Sequence, residues 1–450
     1  VKIIIKNNIC INEAPEILLR EICDTFTIEN PLWIDNARMG RWQGKTDHWL
    51  TFFEKHPGGL SIPRGAMGLI LYLCKKRDIR YQIIDNRRKS PPVDFNFNGT
   101  LKEYQQRAVK DILARDFNVL QAGTGTGKTI MALYAIVERK QPCLVIVHSK
   151  ELLNQWIDRI EQFLGISRDE IGIIGNGKKR IGEKITVGIV NSIYTIADEI
   201  KDHIGHLVVD ECHRTPSRTF TEAVTTFDSK FMLGLSATPF RRDGLTKLIG
   251  WYLGRQVEVK NSELTENDII KNVEIIIRET DFTTDFDASE EYSQMLSELT
   301  EDVGRNLLIA ADILKEVSNN DGVCLALSDR KEHCRTLADI LGQQGIIADV
   351  LTGEVSSGGR KDIIDRLGTG KIKVLIATGQ LIGEGFDCRG LSTLFLTTPI
   401  KFDGRVIQYA GRILRTSQGK EKAKIYDYVD KRIGVLRSAA YARQKVYSNI

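Results

Sequence analysis

The stretch Leu120 to Ile130, LQAGTGTGKTI, constrains this chain more than any other. An apolar run from Asn118 to Leu120 reads as a short strand, and Lys128 to Glu138 reads as a helix that Pro142 closes. A strand, a glycine-rich loop and a helix in that order make a phosphate cradle. Backbone N–H groups of Ala122, Gly123, Thr124, Gly125, Thr126 and Gly127 can point at phosphate oxygens, and the helix N-terminus adds about half a positive charge. Lys128 would sit on the β- and γ-phosphates of ATP, and Thr129 would offer its hydroxyl to Mg2+. Where the strict pattern has its first glycine, this loop has Ala122. The bland alternative is a glycine-rich turn that binds nothing, so the rest of the chain has to decide.

With 450 residues, 42% of them hydrophobic, the chain can build roughly three domains with ordinary cores. No run of ~18 uncharged apolar residues occurs, and the opening VKIIIKNNIC lacks the hydrophobic region and cleavage site of a signal peptide. A cytoplasmic location, the host cytoplasm for a viral chain, is therefore expected, with no membrane partner. The eight cysteines are scattered without a CxxC pair, so reduced thiols and no structural metal are expected. Only Cys143 lies between Lys128 and Asp210, which excludes a four-cysteine iron–sulfur cluster in that interval.

The net charge of +4 is unevenly spread. Residues 1–99 carry 15 Lys and Arg against 11 Asp and Glu, while the rest of the chain balances at 48 of each. Lys75 to Lys89 holds seven basic residues, including Arg87, Arg88 and Lys89, against two acidic ones, and three of the five tryptophans, Trp33, Trp42 and Trp49, fall in the same segment. Basic side chains for phosphates and aromatic rings for base stacking suit a nucleic-acid-binding module. Core tryptophans with a solvated charged face are the competing reading.

Residues 90–99, SPPVDFNFNG, read as a linker. Beyond them, apolar runs alternate with helix-length amphipathic stretches: Leu144–Val147, Ile185–Val190, Leu207–Val209 and Phe231–Leu235, then Val323–Leu327, Val374–Ile376, Leu394–Leu396 and Ile425–Val429. This alternation predicts an α/β fold with two parallel sheets. The expected domains are 1–95, small and basic; 96–265; and 266–450.

The chemistry falls at strand ends. After HLVV come Asp210, Glu211, Cys212 and His213, placing two carboxylates where open parallel sheets bind ligands. Asp210 would hold Mg2+, and Glu211 would take the proton of the water attacking the γ-phosphate. Gln408 to Arg415, QYAGRILR, sets Arg412 and Arg415 on one helix face, suited to a developing phosphate charge.

Together these motifs resemble those of superfamily 2 helicases, in the XPB/UvsW-like branch, over residues ~101 to 430. The resemblance implies two RecA-like domains in tandem behind a small N-terminal α+β domain. In this family the glutamine matching Gln105 reads adenine, Gly385 and Asp387 lie near the nucleotide with Gln408, and Arg412 and Arg415 face the γ-phosphate. Val145–Trp156 resembles the segment that touches the nucleic-acid backbone, so contacts at Ser149, Lys150 and Ser192 are implied, and Ser236-Ala237-Thr238 resembles the motif that couples ATP state to the nucleic-acid groove. Arg241-Arg242-Asp243 stands where XPB-like proteins carry Arg-Glu-Asp, and Arg241 and Arg242 are further expected DNA contacts. Asn30-Pro31, Gly40–Lys45 and Ile62-Pro-Arg-Gly65 resemble the small N-terminal domain of UvsW-like proteins. The implied activity is an ATP- and Mg2+-dependent DNA helicase, monomeric and moving 3′ to 5′, that remodels branched, single- and double-stranded DNA. An RNA helicase, a motor subunit of a restriction complex and a non-catalytic clamp are the alternatives.

Overall fold

The computed structural model describes the whole chain apart from residues 124, 215–217, 238–244, 261–272, 289, 320–321, 380–389, 400–422 and 448–450. It divides into two compact units, Val1–Gly123 with Gly127–Lys260, and Thr124–Thr126 with Asn261–Ile450. Residues 1–95 belong to the first of these.

The N-terminal part builds strands β1 (Lys2–Ile5), β2 (Asn8–Asn12), β3 (Thr27–Glu29), β4 (Trp49–Thr51), β5 (Glu54–His56), β6 (Gly59–Pro63) and β7 (Gln82–Asp85) around helices α1 (Glu16–Thr25), α2 (Pro31–Arg38) and α3 (Met67–Lys76). Five strands form a sheet in the order β5-β6-β2-β1-β7, and β3 and β4 make a separate ribbon. Strict alternation in β1 and β2 turns Ile3, Ile5, Ile9 and Ile11 inward, onto Leu18 and Ile22 of α1 and Ile70 of α3.

The first α/β domain follows: α4 (Glu103–Leu113), β8 (Phe117–Gln121), α5 (Lys128–Arg139), β9 (Cys143–Val147), α6 (Lys150–Leu164), β10 (Gly172–Gly175), β11 (Lys178–Arg180), β12 (Ile185–Ile189), α7 (Val190–Ile200), β13 (His206–Val209), α8 (Arg218–Thr225), β14 (Phe231–Ser236), α9 (Lys247–Leu253) and β15 (Arg255–Glu258). The sheet order is β11-β10-β12-β9-β13-β14-β8-β15, parallel except for the β10–β11 hairpin. Every residue of β9 and β13 is buried, as a parallel strand with helices on both faces requires.

The second unit is built from β16 (Val273–Glu279), α10 (Tyr292–Glu301), α11 (Val303–Asn319), β17 (Val323–Ser328), α12 (Lys331–Gln343), β18 (Ala348–Leu351), α13 (Ser357–Gly368), β19 (Val374–Thr378), β20 (Leu391–Leu396), β21 (Ala423–Val429) and α14 (Gly434–Tyr447). Its six strands are all parallel, in the order β16-β21-β20-β17-β19-β18. The fold is thus α/β, with two tandem RecA-like sheets and a small N-terminal domain.

All eight runs read as strands fall on strands. Strands β10, β11, β15, β16 and β18 were not expected from the sequence; they are short, glycine-bearing or half-exposed. Residues 90–99, read as a linker, lie as a strap along the first α/β domain. Val93 N–H donates to Lys140 O at 3.0 Å and Asn98 N–H to Phe163 O at 2.7 Å, while the Phe97 ring meets Tyr134 edge-on. Among the described residues no helix is long and apolar enough to cross a membrane.

The N-terminal sheet does not close its own core. Leu248 and Trp251 of α9 complete it, and a Cβ at Gly65 would stand 2.5 Å from Gly254 N and 2.7 Å from Trp251 O. The Ile62-Pro-Arg-Gly65 motif is therefore a docking surface: Arg64, 2% exposed, donates to Ser229 O at 3.0 Å.

Candidate active site

The phosphate loop leaves β8 between β14 and β15. Ala122 N–H donates to Ser236 O at 3.1 Å. Gly125 and Gly127 take φ of 92° and 85°, whereas Ala122 is in ordinary backbone, so only the later glycines answer a steric demand and alanine at 122 is tolerated. Gly127 has a second reason to lack a side chain, since its Cβ would fall 2.5 Å from Gln105 Nε2. Gln105 itself is buried, its Oε1 accepting from Lys102 N–H at 3.0 Å. The glutamine expected to read adenine therefore lies against the loop. Lys128 Nζ donates to Ala122 O at 2.9 Å and to Gly123 O at 3.3 Å, which holds the ammonium over the cradle. Thr129 follows in the first turn of α5, half-buried.

Asp210 stands at the carboxyl end of β13 and is 8% exposed. Burial, and then the neighbouring Glu211 charge, push its carboxyl up to about 6, against the pull of the Trp156 hydrogen bond and of Lys128. Its Oδ2 accepts from Trp156 Nε1 at 2.8 Å, and its Oδ1 from the Glu211 amide at 2.9 Å. A carboxylate this desolvated gains most from a cation. Among the described residues no group of three or more His, Cys, Asp and Glu gathers to hold a metal.

Glu211 has φ 49°, a left-handed conformation costly for a residue with a Cβ and typical of functional turns. His213 Nδ1 lies 3.1 Å from Ser236 Oγ and 3.3 Å from Glu211 Oε2, joining the acidic box to the end of β14. Cys212 is fully buried and packs inward, so it belongs to the core.

Ser149 is the N-cap of α6, accepting from Leu152 N–H at 3.2 Å and keeping its O–H to donate. Lys150 beside it is exposed, and Ser192 lies half-buried in the first turn of α7.

The basic stretch at 87–89 divides. Arg87 pairs with Asp85 at 2.7 Å and Asp116 at 2.8 Å and has a side chain only 7% exposed; Arg88 pairs with Asp202 at 2.6 Å and Asp228 at 2.9 Å. Backbone bonds, Arg88 N–H to Asp228 O and Lys230 N–H to Arg88 O, both 2.7 Å, tie the segment to the start of β14. Arg87 and Arg88, expected as DNA contacts, thus have carboxylate partners in this structure, and their charges clasp the N-terminal domain to the first α/β domain. Lys89 remains exposed. Thr124, Arg241, Arg242, Gly385, Asp387, Gln408, Arg412 and Arg415 lie outside the described residues.

Two groups escaped the sequence reading. Trp156 on Asp210 is one. The other is a buried cluster at the strand ends of the second unit, where Arg305 Nε donates to Asp430 Oδ1 at 2.9 Å and Arg305 Nη1 to Thr397 O at 2.6 Å. Neither partner sits at a motif spacing from the other.

Residues 98–241 match the family described as type III restriction enzyme, res subunit, and residues 307–417 the helicase conserved C-terminal domain. A protein of Acanthamoeba polyphaga mimivirus named as an ATP-dependent RNA helicase is 28% identical over 76% of this chain and 66% of its own. A helicase of Escherichia phage T5, D10, is 26% identical over 84% of this chain and 82% of its own, and the DNA 3′-5′ translocase XPB2 of Sulfurisphaera tokodaii is 36% identical over 36% of each. The chain thus spans just under two thirds of the mimivirus relative's length.

Tandem RecA-like domains, with a phosphate loop and a buried strand-end carboxylate in the first, define the helicase class of nucleotide-dependent enzymes. The chain belongs to the superfamily 2 helicases.

Proposed function

We propose that this chain is an ATP-dependent DNA helicase or translocase that remodels branched DNA. The observation that carries the ATP half is the joining of the phosphate loop to the acidic box through Ser236 of the intervening β14, whose carbonyl accepts from Ala122 N–H and whose hydroxyl meets His213, with the Lys128 charge acting on the Asp210 carboxyl. Asp210 and Thr129 would hold Mg2+, which supplies charge neutralisation on the β- and γ-phosphates. Lys128 binds the same phosphates, Gln105 contributes to the adenine side, and Glu211 takes the proton of the attacking water as the bond from γ-phosphorus to ADP breaks. Arg412 and Arg415 supply positive charge to the γ-phosphate in the transition state.

The DNA half is supported by the surface around α2. That helix buries no residue, and Leu32, Met39, Trp42 and Trp49 are all more than half exposed, Trp42 at 89%. Residues 36–45 carry Arg38, Arg41 and Lys45 with no carboxylate. Exposed rings among cations are the means by which proteins stack on unpaired bases while tracking phosphates. Trp33, His48 and Trp49 stack in series, with ring centroids 3.8 and 4.9 Å apart, and stiffen that surface. Ser149, Lys150, Ser192, Arg241 and Arg242 provide the backbone grip of the motor. XPB2's name as a DNA translocase favours DNA, and the mimivirus relative's name favours the second reading, an RNA helicase.

The deciding experiment is ATP turnover by the full chain with single-stranded, duplex, forked, four-way and RNA effectors. Forked and four-way DNA are expected to stimulate most, and Trp42→Ala to weaken four-way-junction binding by roughly 5- to 100-fold, the range of one lost stacking contact. Stimulation by RNA alone would overturn the DNA reading, and no response to any nucleic acid would overturn the motor.

A further inference from the structure

A tryptophan buried in a helix interface needs a partner for its N–H, and a backbone carbonyl is the usual one. Trp156, 2% exposed, instead donates to Oδ2 of Asp210 at 2.8 Å. With Oδ1 taken by the Glu211 amide at 2.9 Å, the two oxygens are held from two directions, one by the turn that carries Glu211 and one by α6. The indole has a single N–H and no acceptor, so this contact fixes orientation without competing for a cation.

The helix that carries the indole also carries Ser149 as its N-cap and Lys150 as its first residue. Lys150 and Trp156 are six positions apart, about 9 Å along the axis at ~1.5 Å per residue. Leu153, Ile157 and Ile160 are buried along the same helix, so α6 is anchored as a unit and a displacement at its N-terminus is carried to the indole.

We propose that Trp156 is a positioning residue that couples nucleic-acid contact at the N-terminus of α6 to the orientation of the Asp210 carboxylate. This rests on the reading of Ser149 and Lys150 as backbone contacts. Nucleic acid bound there sets the position of α6, the indole sets the plane of the carboxylate, and the carboxylate sets how well the site accepts a divalent cation with its nucleotide. Because binding linkage is reciprocal, the cation and its nucleotide must in turn tighten the grip on nucleic acid through the same bond.

The test uses the full chain and Trp156→Phe, which keeps an aromatic ring and removes the N–H. Binding of a fluorescent ADP analogue is titrated with Mg2+, with and without saturating single-stranded DNA, beside ATP turnover and thermal unfolding. In the wild type DNA is expected to lower the Mg2+ midpoint. In the variant the DNA-free midpoint is expected to rise about tenfold, as when other outer partners of metal-holding groups are lost. The separation between the DNA-free and DNA-bound curves is expected to close, and the stimulation ratio of turnover to fall about tenfold, with Mg2+-free nucleotide affinity unchanged. If the variant melts early, the benzothiophene analogue of tryptophan at position 156 exchanges N–H for sulfur at constant shape and carries the same expectations. A variant that keeps the wild-type midpoints and stimulation overturns the proposal. A wild type that ignores every nucleic acid overturns the motor reading instead.

Discussion

The two ends of one sheet solve opposite electrostatic problems. At the amino ends of β8 and β14, Arg87 and Arg88 meet Asp85, Asp116, Asp202 and Asp228, and Lys230 also reaches Asp85, so cations and carboxylates answer one another. At the carboxyl ends of β8 and β13, Asp210 and Glu211 lie side by side in a buried corner, and the Asp210 carboxyl is pushed up to about 6. Local charge matching stabilises the first place, while the second holds its carboxylate ready for a ligand at a cost in stability. The lesson is that a run of arginines in a sequence does not mark a phosphate site until the carboxylates facing it in space are known.

Removing the matched end should have the largest effect. A chain starting at Val93 is expected to unfold or aggregate, because it exposes Leu248 and Trp251, worth roughly 2–3 kcal/mol each, and strips Arg87 from Asp116 and Arg88 from Asp228. Thermal unfolding and gel filtration check this. A monomeric shortened chain with the full-length melting temperature would mean the clasp contributes nothing.

At the opposite end, Lys128→Ala is expected to lower ATP turnover by at least ~10³-fold with melting temperature and DNA affinity nearly unchanged. Turnover close to wild type would remove Lys128 from the site.

Arg88→Ala sharpens the comparison, since it leaves Asp228, with a side chain 8% exposed, without its cation. A loss of ~2–4 kcal/mol in urea unfolding is expected, with the salt slope of DNA binding unaltered. A slope flatter by about one unit at undiminished stability would return Arg88 to the nucleic-acid surface.

The smallest effect runs the other way, as a gain. Asp210 binds its proton more tightly folded than unfolded, so stability falls as pH rises from the ordinary carboxylate range through about 6, and the cost persists above it. Asp210→Asn, whose amide NH2 must face one of the two N–H donors, should therefore gain on the wild type by on the order of 1–3 kcal/mol between pH 4 and pH 7.5 in the nucleotide-free state. Equal melting curves at both pH values would show that burial of Asp210 carries no penalty.

Most of the α/β architecture was legible in the sequence because fully buried parallel strands read as unbroken apolar runs, as in Cys143–Val147 and His206–Val209. The half-exposed edge strand Val273–Glu279 was not, since no face of it is apolar throughout. Lys128, Asp210 and Glu211 were legible as a candidate site because a phosphate loop and a strand-end carboxylate pair depend on local backbone geometry, which short motifs encode. By itself the sequence determined those local devices: the glycines at 125 and 127 with positive φ, the Ser149 cap, and the alternating isoleucines of β1 and β2. Only the tertiary structure decided partners distant along the chain: Trp156 on Asp210, Gln105 against Gly127, Trp251 in the N-terminal core, and Arg87 on Asp116. The physical reason is that burial and ion pairing are properties of what surrounds a group, and the surroundings come from residues whose spacing carries no periodic signal.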